Sequence, residues 1–227
     1  EQAGRARALE AVRKNAANAL SVANLITGLS SVLCSLNGST PARPWVSGSA
    51  ALARAGGSPT RHPARPPGSH PPSLPAGAKL DDFADFTSFG LATALLLRTR
   101  GVLDGLLAVA YVLAVFARLC FFSSGVPFTY RGLPCPYASA LLAGTYLLTG
   151  GHLTLLRVTA TVMILFMVDQ GFYPHDKVLE SQLWKKVVYA GGVAAVLFSP
   201  SSVLSLYYLA WSTSYIFFPF AVWSCKV

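Results

Sequence analysis

Apolar residues in this chain gather in long runs separated by polar stretches. The runs fall at roughly 16–36, 83–97, 102–122, 137–149, 153–169, 186–199 and 202–223. A helix needs about 20 residues to cross the hydrocarbon core of a bilayer, with ~17 tolerated. The runs at 102–122 and 202–223 are long enough alone, whereas 83–97 and 137–149 need polar flanks or a thin membrane. Backbone groups in lipid must be hydrogen-bonded within their own segment, so the runs are predicted to be helices rather than open strands. The pattern predicts an all-α fold, a polytopic transmembrane bundle of six or seven helices.

One stretch breaks the pattern. Residues 37–79 hold most of the fifteen prolines, mixed with Gly, Ser and Arg. Each interior proline removes a donor and clashes with the preceding turn, so this stretch is not predicted to propagate a helix. It also lacks the apolar side chains that would offset its ordering entropy. The expected organisation is a basic N-terminal segment (1–15), a first transmembrane helix (16–36), a disordered Pro-rich linker (37–79) and a transmembrane bundle (80–227).

Composition agrees. Hydrophobic residues make up 53% of the 227, charged residues 12%, and mean hydropathy is +0.49. A soluble domain carries about twice that share of charge, so a soluble enzyme is excluded. The four cysteines stand singly, without CxxC or Cys/His spacing, which leaves packing as their role.

The net charge of +9 is concentrated early. Residues 1–79 carry nine Lys/Arg against two acids, and residues 80–227 carry nine against seven. Arg5, Arg7, Arg13 and Lys14 flank the first apolar run, which by the positive-inside bias sets the N-terminus in the cytoplasm. Basic residues are not interleaved with aromatics on one face, so nucleic acid is not an expected partner. The lipid bilayer is.

The densest acidic cluster opens the second apolar run as Lys79-Leu80-Asp81-Asp82-Phe83-Ala84-Asp85. On a helix Asp81 and Asp85 share a face one turn apart. Carboxylates at membrane level are costly and mark functional paths, and a pair on one face suits a hard divalent cation or a metal-plus-base pair. First-turn capping against the helix dipole explains the same residues equally well. The spacing alone leaves both readings open.

Gly77, Asp81 and Asp85 resemble the G-x3-D-x3-D half of the CDP-alcohol phosphatidyltransferase signature, D-x2-D-G-x2-A-R-x8-G-x3-D-x3-D. Further stretches resemble that family in the same order, closest to its phosphatidylserine synthase branch. They are Asn24-Leu25-Ile26-Thr27, Ala117-Arg118-Leu119, the Gly132-Leu133-Pro134 loop after Arg131, and Met167-Val168 followed by Tyr173-Pro174 and Lys177. The resemblance implies transfer of a phosphatidyl group from CDP-diacylglycerol to an alcohol with release of CMP, using Mg²⁺ or Mn²⁺. It implies Asp81 as a metal ligand, with Asp82 as a possible stand-in, and Asp85 as the general base. Arg118 and Arg131 become candidates for binding substrate phosphate, which a planar guanidinium fork suits. An endoplasmic reticulum location and a homodimer are further expectations.

The first half of the signature is missing. Thr60, Pro63, Ala64, Pro67 and Gly68 stand where its residues belong, and no acid lies between Glu10 and Asp81. Phosphoryl transfer rests on metal and electrostatic stabilisation of developing charge, so this departure predicts impaired catalysis. Two rivals are an active transferase that completes its metal site through Asp82, and a transporter or channel subunit. Of the remaining polar residues, His62 and His70 read as solvated, and Asp169, His175, Asp176 and Glu180 as a polar connection. His152 is expected in a tight turn between helices. The aromatic-rich stretch from Tyr207 to Trp223 is expected to form an interfacial belt with a lipid-facing surface.

Overall fold

The structure, a computed structural model, describes residues 2–37, 76–97, 101–121, 129–174, 183–198 and 201–222. Helix α1 is Gln2–Leu36. Helix α2, Ala76–Asp85, runs on into a π-helical segment, Phe86–Ala92, and a 3-10 turn, Leu95–Leu97. Helix α3 is Val102–Phe121. A short strand β1 (Thr129–Arg131) precedes α4 (Cys135–Thr149) and α5 (Leu153–Val168). Strand β2 (Phe172–Pro174) pairs antiparallel with β1, and α6 (Leu183–Phe198), α7 (Ser201–Phe217) and α8 (Pro219–Val222) follow.

The helices form largely where the apolar runs predict them, with three differences. Helix α1 extends back through the basic segment to Gln2, because residues 2–16 are rich in Ala and Arg, which favour helix regardless of hydropathy. Helix α2 begins at Ala76, inside the stretch expected to be linker, and so takes in Gly77 and Lys79. The rest of that linker, 38–75, lies outside the described residues. The run at 202–223 is broken: α7 stops at Phe217 and Pro219 starts a new helix, since a proline inside α7 would remove a backbone donor and clash with the preceding turn.

Among the described residues two segments, Asn18–Leu36 within α1 and Val102–Phe121, are long and apolar enough to cross a membrane. The faces they bury are the reverse of those in a water-soluble helix. α1 buries Ser21, Asn24, Gly28 and Ser31, while Val22, Ile26, Leu29, Leu33 and Leu36 are exposed. α3 buries Asp104, Tyr111 and Arg118 and exposes Leu106, Val109, Leu113 and Phe116. Apolar surface turned outward with polar groups turned inward is stable only where the surroundings are themselves apolar, as in lipid.

Contacts between side chains fix the helix directions. Tyr137 and Gly144 of α4 meet Tyr215 and Leu209 of α7, so these two run antiparallel. The rings of Tyr137 and Tyr215 stack at 3.7 Å, and the Tyr215 hydroxyl donates to the Pro174 carbonyl at 2.7 Å. Phe86 and Gly90 meet Phe116 and Val115, which makes the π segment antiparallel to α3. On α1 and α2, by contrast, the matched pairs are Ser21 with Asp81, Asn24 with Asp85 and Gly28 with Ser88. Both numbers rise together, so α1 and α2 are parallel. The chain therefore leaves α1 at the far end of the pair from where it starts α2.

The aromatic stretch of α7 departs from its expected place. Tyr208, Trp211 and Tyr215 are buried against the bundle, and the exposed rings at this end are Phe217, Phe218 and Phe220. Trp223 lies outside the described residues. Aromatic rings serve a core as readily as an interface, and composition does not separate the two.

Candidate functional site

Polar contacts between α1 and the helix formed by α2 and its π segment gather on one seam. Ser21 Oγ donates to Asp81 Oδ1 at 2.7 Å, and Asn24 Nδ2 donates to Asp85 Oδ1 at 3.1 Å. Ser88 Oγ donates to the Asn24 carbonyl at 2.9 Å. Small residues let the helices approach this closely. A Cβ on Gly28 would lie 2.4 Å from Ser88 Oγ, and one on Gly77 would lie 2.7 Å from Asn18 Oδ1. Just past Asp85 the helix widens into its π segment, and Thr93 Oγ1 donates five residues back to the Ser88 carbonyl. Single π turns of this kind gather at functional sites.

Asp81 and Asp82 precede the apolar run. Burial pushes the Asp81 carboxyl above the usual range, and the Ser21 hydrogen bond offsets this in part. Asp82 is raised by burial and then by the charge of Asp81 beside it.

Arg118 reaches the same region from α3. It is buried, and its Nε donates to the Leu133 carbonyl at 2.9 Å. The buried Cys135 at the start of α4 lies within electrostatic reach of Arg118, Asp85 and Asp82 together. Tyr111, two turns before Arg118, is fully buried, and its hydroxyl has no hydrogen-bond partner. The charges of Asp82, Asp85 and Arg118 thus all act on Cys135, although the Asp82 side chain is itself exposed. Arg131 is not among them: it is exposed on the two-stranded β1–β2 sheet, with its guanidinium 5.9 Å from the Phe172 ring. That contact makes it an anchor for the strand pair.

The loop between β1 and α4 is locked by its glycine. Gly132 has φ +68°, its N–H donates to the Gly171 carbonyl at 2.7 Å, and Leu133 N–H donates to the Phe166 carbonyl at 2.9 Å. A Cβ at Gly132 would sit 2.5 Å from the Met167 carbonyl oxygen. The stretch from Gly132 to Pro134 therefore packs on the Met167-Val168 end of α5, two motifs that the sequence holds more than thirty residues apart.

Sequence reasoning missed four contributors to this region: Ser21, Asn24 as a partner of Asp85, Tyr111 and Cys135. Only the first two left a signal, the polar spacing Asn18, Ser21, Asn24 along an otherwise apolar helix. Arg157, which stands alone in the sequence, pairs in the structure with the buried Asp104.

The chain is 60% identical to human transmembrane protein 269 over 147 residues, 65% of this chain and 72% of the human protein. It is 48% identical to mouse transmembrane protein 269 over 212 residues, 92% of this chain and 81% of the mouse protein. The chain belongs to the transmembrane protein 269 family. It is a membrane protein, in keeping with the outward apolar faces of α1 and α3. No family model matches the chain, so its likeness to CDP-alcohol phosphatidyltransferases rests on the quoted residues.

Mg²⁺ or Mn²⁺, as that likeness implies, takes oxygen donors. Asp81 and Asp85 supply carboxylates one turn apart, and Asn24 adds a buried amide oxygen that has no hydrogen-bond partner. The donor set fits a hard cation in kind. Among the described residues no group of three or more His, Cys, Asp or Glu side chains is placed to hold a metal, so carboxylates alone do not complete a site.

Proposed function

We propose that this chain is a multi-pass membrane protein built on a CDP-alcohol phosphatidyltransferase-like bundle, with little or no transferase turnover. The observation that carries this reading is that Asp82, Asp85 and Arg118 all lie within electrostatic reach of the buried Cys135. The groups that the resemblance assigns to metal, base and phosphate thereby act on one buried position, although they come from different helices. Asp81, with Asp82 as stand-in, would hold the cation beside the general base Asp85, and the cation would supply charge stabilisation for a CDP-linked lipid's phosphates. Arg118 would contribute a fixed positive charge at the same level.

Turnover is weak in this reading because half of the family's carboxylates have no counterpart in the sequence. The parallel course of α1 and α2 supports it from another direction, because an added antiparallel helix between them would restore alternating passes. An endoplasmic reticulum location belongs to the same reading, and imaging of the tagged full chain tests it.

The decisive experiment is CMP release from CDP-diacylglycerol by the purified full chain in lipid nanodiscs, with Mg²⁺ or Mn²⁺ and a panel of alcohols. The expected rate is no higher than that of Asp85→Asn. Metal-dependent release that Asp85→Asn abolishes would establish an active enzyme instead. Transport of a solute by proteoliposomes in the absence of either would establish the transporter reading.

A further inference from the structure

We infer that Asn24 is a cation ligand: its side-chain oxygen joins Asp81 and Asp85 in an α1–α2 site for a divalent metal ion. The inference rests on the reading above for the identity of the two carboxylates, and goes beyond it in placing part of the site on α1.

The argument starts from the amide itself. Asn24 is 1% exposed, and its Nδ2 donates to Asp85 Oδ1 at 3.1 Å. An amide facing a carboxylate must present its NH₂ side, since its oxygen would meet like charge. The amide orientation is therefore settled by Asp85, and Oδ1 is left as a buried acceptor with no hydrogen-bond partner. Such an atom costs about 1–3 kcal/mol unless something occupies it. An amide oxygen has lone pairs and no proton, so the missing occupant is a donor or a cation. The neighbouring side chains select the cation. Asp85 is bonded to the same amide, and Asp81 lies one turn away on the same face, bonded to Ser21. Asp82 adds a third carboxyl next to Asp81 in the sequence. Carboxylates with a neutral carbonyl oxygen make up the mixed hard-donor set that Mg²⁺, Mn²⁺ and Ca²⁺ take, with water completing the shell.

The backbone around Asn24 is held on both sides. Its carbonyl accepts from Thr27 Oγ1 at 2.8 Å as well as from Ser88 Oγ. A ligand whose backbone is fixed in this way costs little ordering entropy on binding.

The test is Mn²⁺ binding, read by electron paramagnetic resonance and by the metal-dependent shift in Tm, on the full chain in nanodiscs. Wild type should bind Mn²⁺, Asn24→Ala should weaken binding at least tenfold, and Asp85→Asn should remove it. Asn24→Asp supplies the second variant, because it keeps the shape while adding a carboxylate. It should be less stable than wild type without metal and show the larger rise in Tm with Mn²⁺. No Mn²⁺ binding by wild type overturns the inference. So does unchanged affinity in Asn24→Ala or, if that variant does not fold, an Asn24→Asp protein whose Tm is indifferent to Mn²⁺. Asn24-dependent binding without CMP release leaves this inference standing while turnover is absent. CMP release that ignores Asn24 does the converse.

Discussion

Arg157 of α5 grips Asp104 of α3 through two bonds, Nε to Oδ1 at 2.6 Å and Nη2 to Oδ2 at 2.9 Å. The two partners are not equal. The Asp104 side chain is 3% exposed and that of Arg157 is 47% exposed. A buried charge that loses its partner is uncompensated, whereas a half-exposed arginine can turn to water or lipid headgroups. Arg157→Ala should therefore lower Tm more than Asp104→Ala, with ~1 kcal/mol corresponding to about 2–4 °C in a chain of this size. The double variant should be more stable than Arg157→Ala alone. A thermal melt in detergent checks both orders, and a more damaging Asp104→Ala would show that the carboxylate is not the dependent partner.

The α1–α2 seam tolerates no added methyl at Gly28. A Cβ there meets Ser88 Oγ at 2.4 Å and the Ser88 Cα at 3.0 Å, so backbone as well as side chain must yield. Gly28→Ala should destabilise by about 1–3 kcal/mol, the usual cost of overpacking. Adding Ser88→Gly should recover part of the loss by removing the nearer atom, although it also removes the bond to Asn24. If Gly28→Ala melts at the wild-type temperature, the helices are farther apart than described.

Two glycines with nearly the same φ should respond differently to alanine. Gly132 has φ +68° and its Cβ would strike two carbonyl oxygens, those of Met167 and Asp169, at 2.5 and 2.9 Å. Gly150 caps α4 at φ +65° with nothing within 4 Å. The left-handed conformation alone costs a non-glycine residue about 1–2 kcal/mol. Gly150→Ala should show that cost and no more. Gly132→Ala should exceed it and sharply lower the yield of monodisperse protein in size-exclusion chromatography. Equal effects at the two positions would remove the packing argument.

Tyr215 combines a hydroxyl bond to Pro174 with ring stacking on Tyr137 and Tyr173. Tyr215→Phe keeps the stack and should cost about 0.5–1.5 kcal/mol. Tyr215→Ala empties the core and should cost about 3–5 kcal/mol. Chemical denaturation of the two variants in parallel separates bond from packing, and a phenylalanine as damaging as alanine would place the energy in the bond.

Burial, and then the charge of Asp169, push the Tyr173 phenol above its ordinary value of 10.0. The folded state thus holds this proton more tightly than the unfolded state, so its contribution is complete below that ordinary value. It fades as pH rises through the higher folded value. An ultraviolet phenolate titration should show a late-ionising component that Tyr173→Phe reduces by one tyrosine, together with loss of stability on the same alkaline limb. Ionisation of Tyr173 with the exposed tyrosines would contradict its place against Tyr215.

The sequence alone determined most of the helices. Apolar runs place α3, α4 and α5 within a few residues of their observed ends, because a segment must satisfy its own backbone bonds wherever it lies in lipid. It also determined that Asp81 and Asp85 share a face, since helical spacing is local. Tertiary structure decided what the face meets. Nothing in the spacing of Asp85 says that Asn24 lies against it, and nothing in the isolated Arg157 points back 53 residues to Asp104. The burial of Tyr208, Trp211 and Tyr215 was hidden for the same reason, because an aromatic run is equally suited to a membrane interface and a core. Local geometry is set by bonds between near neighbours, which a sequence records. The partners of a buried charge are set by how whole helices pack, and that record exists only in the fold.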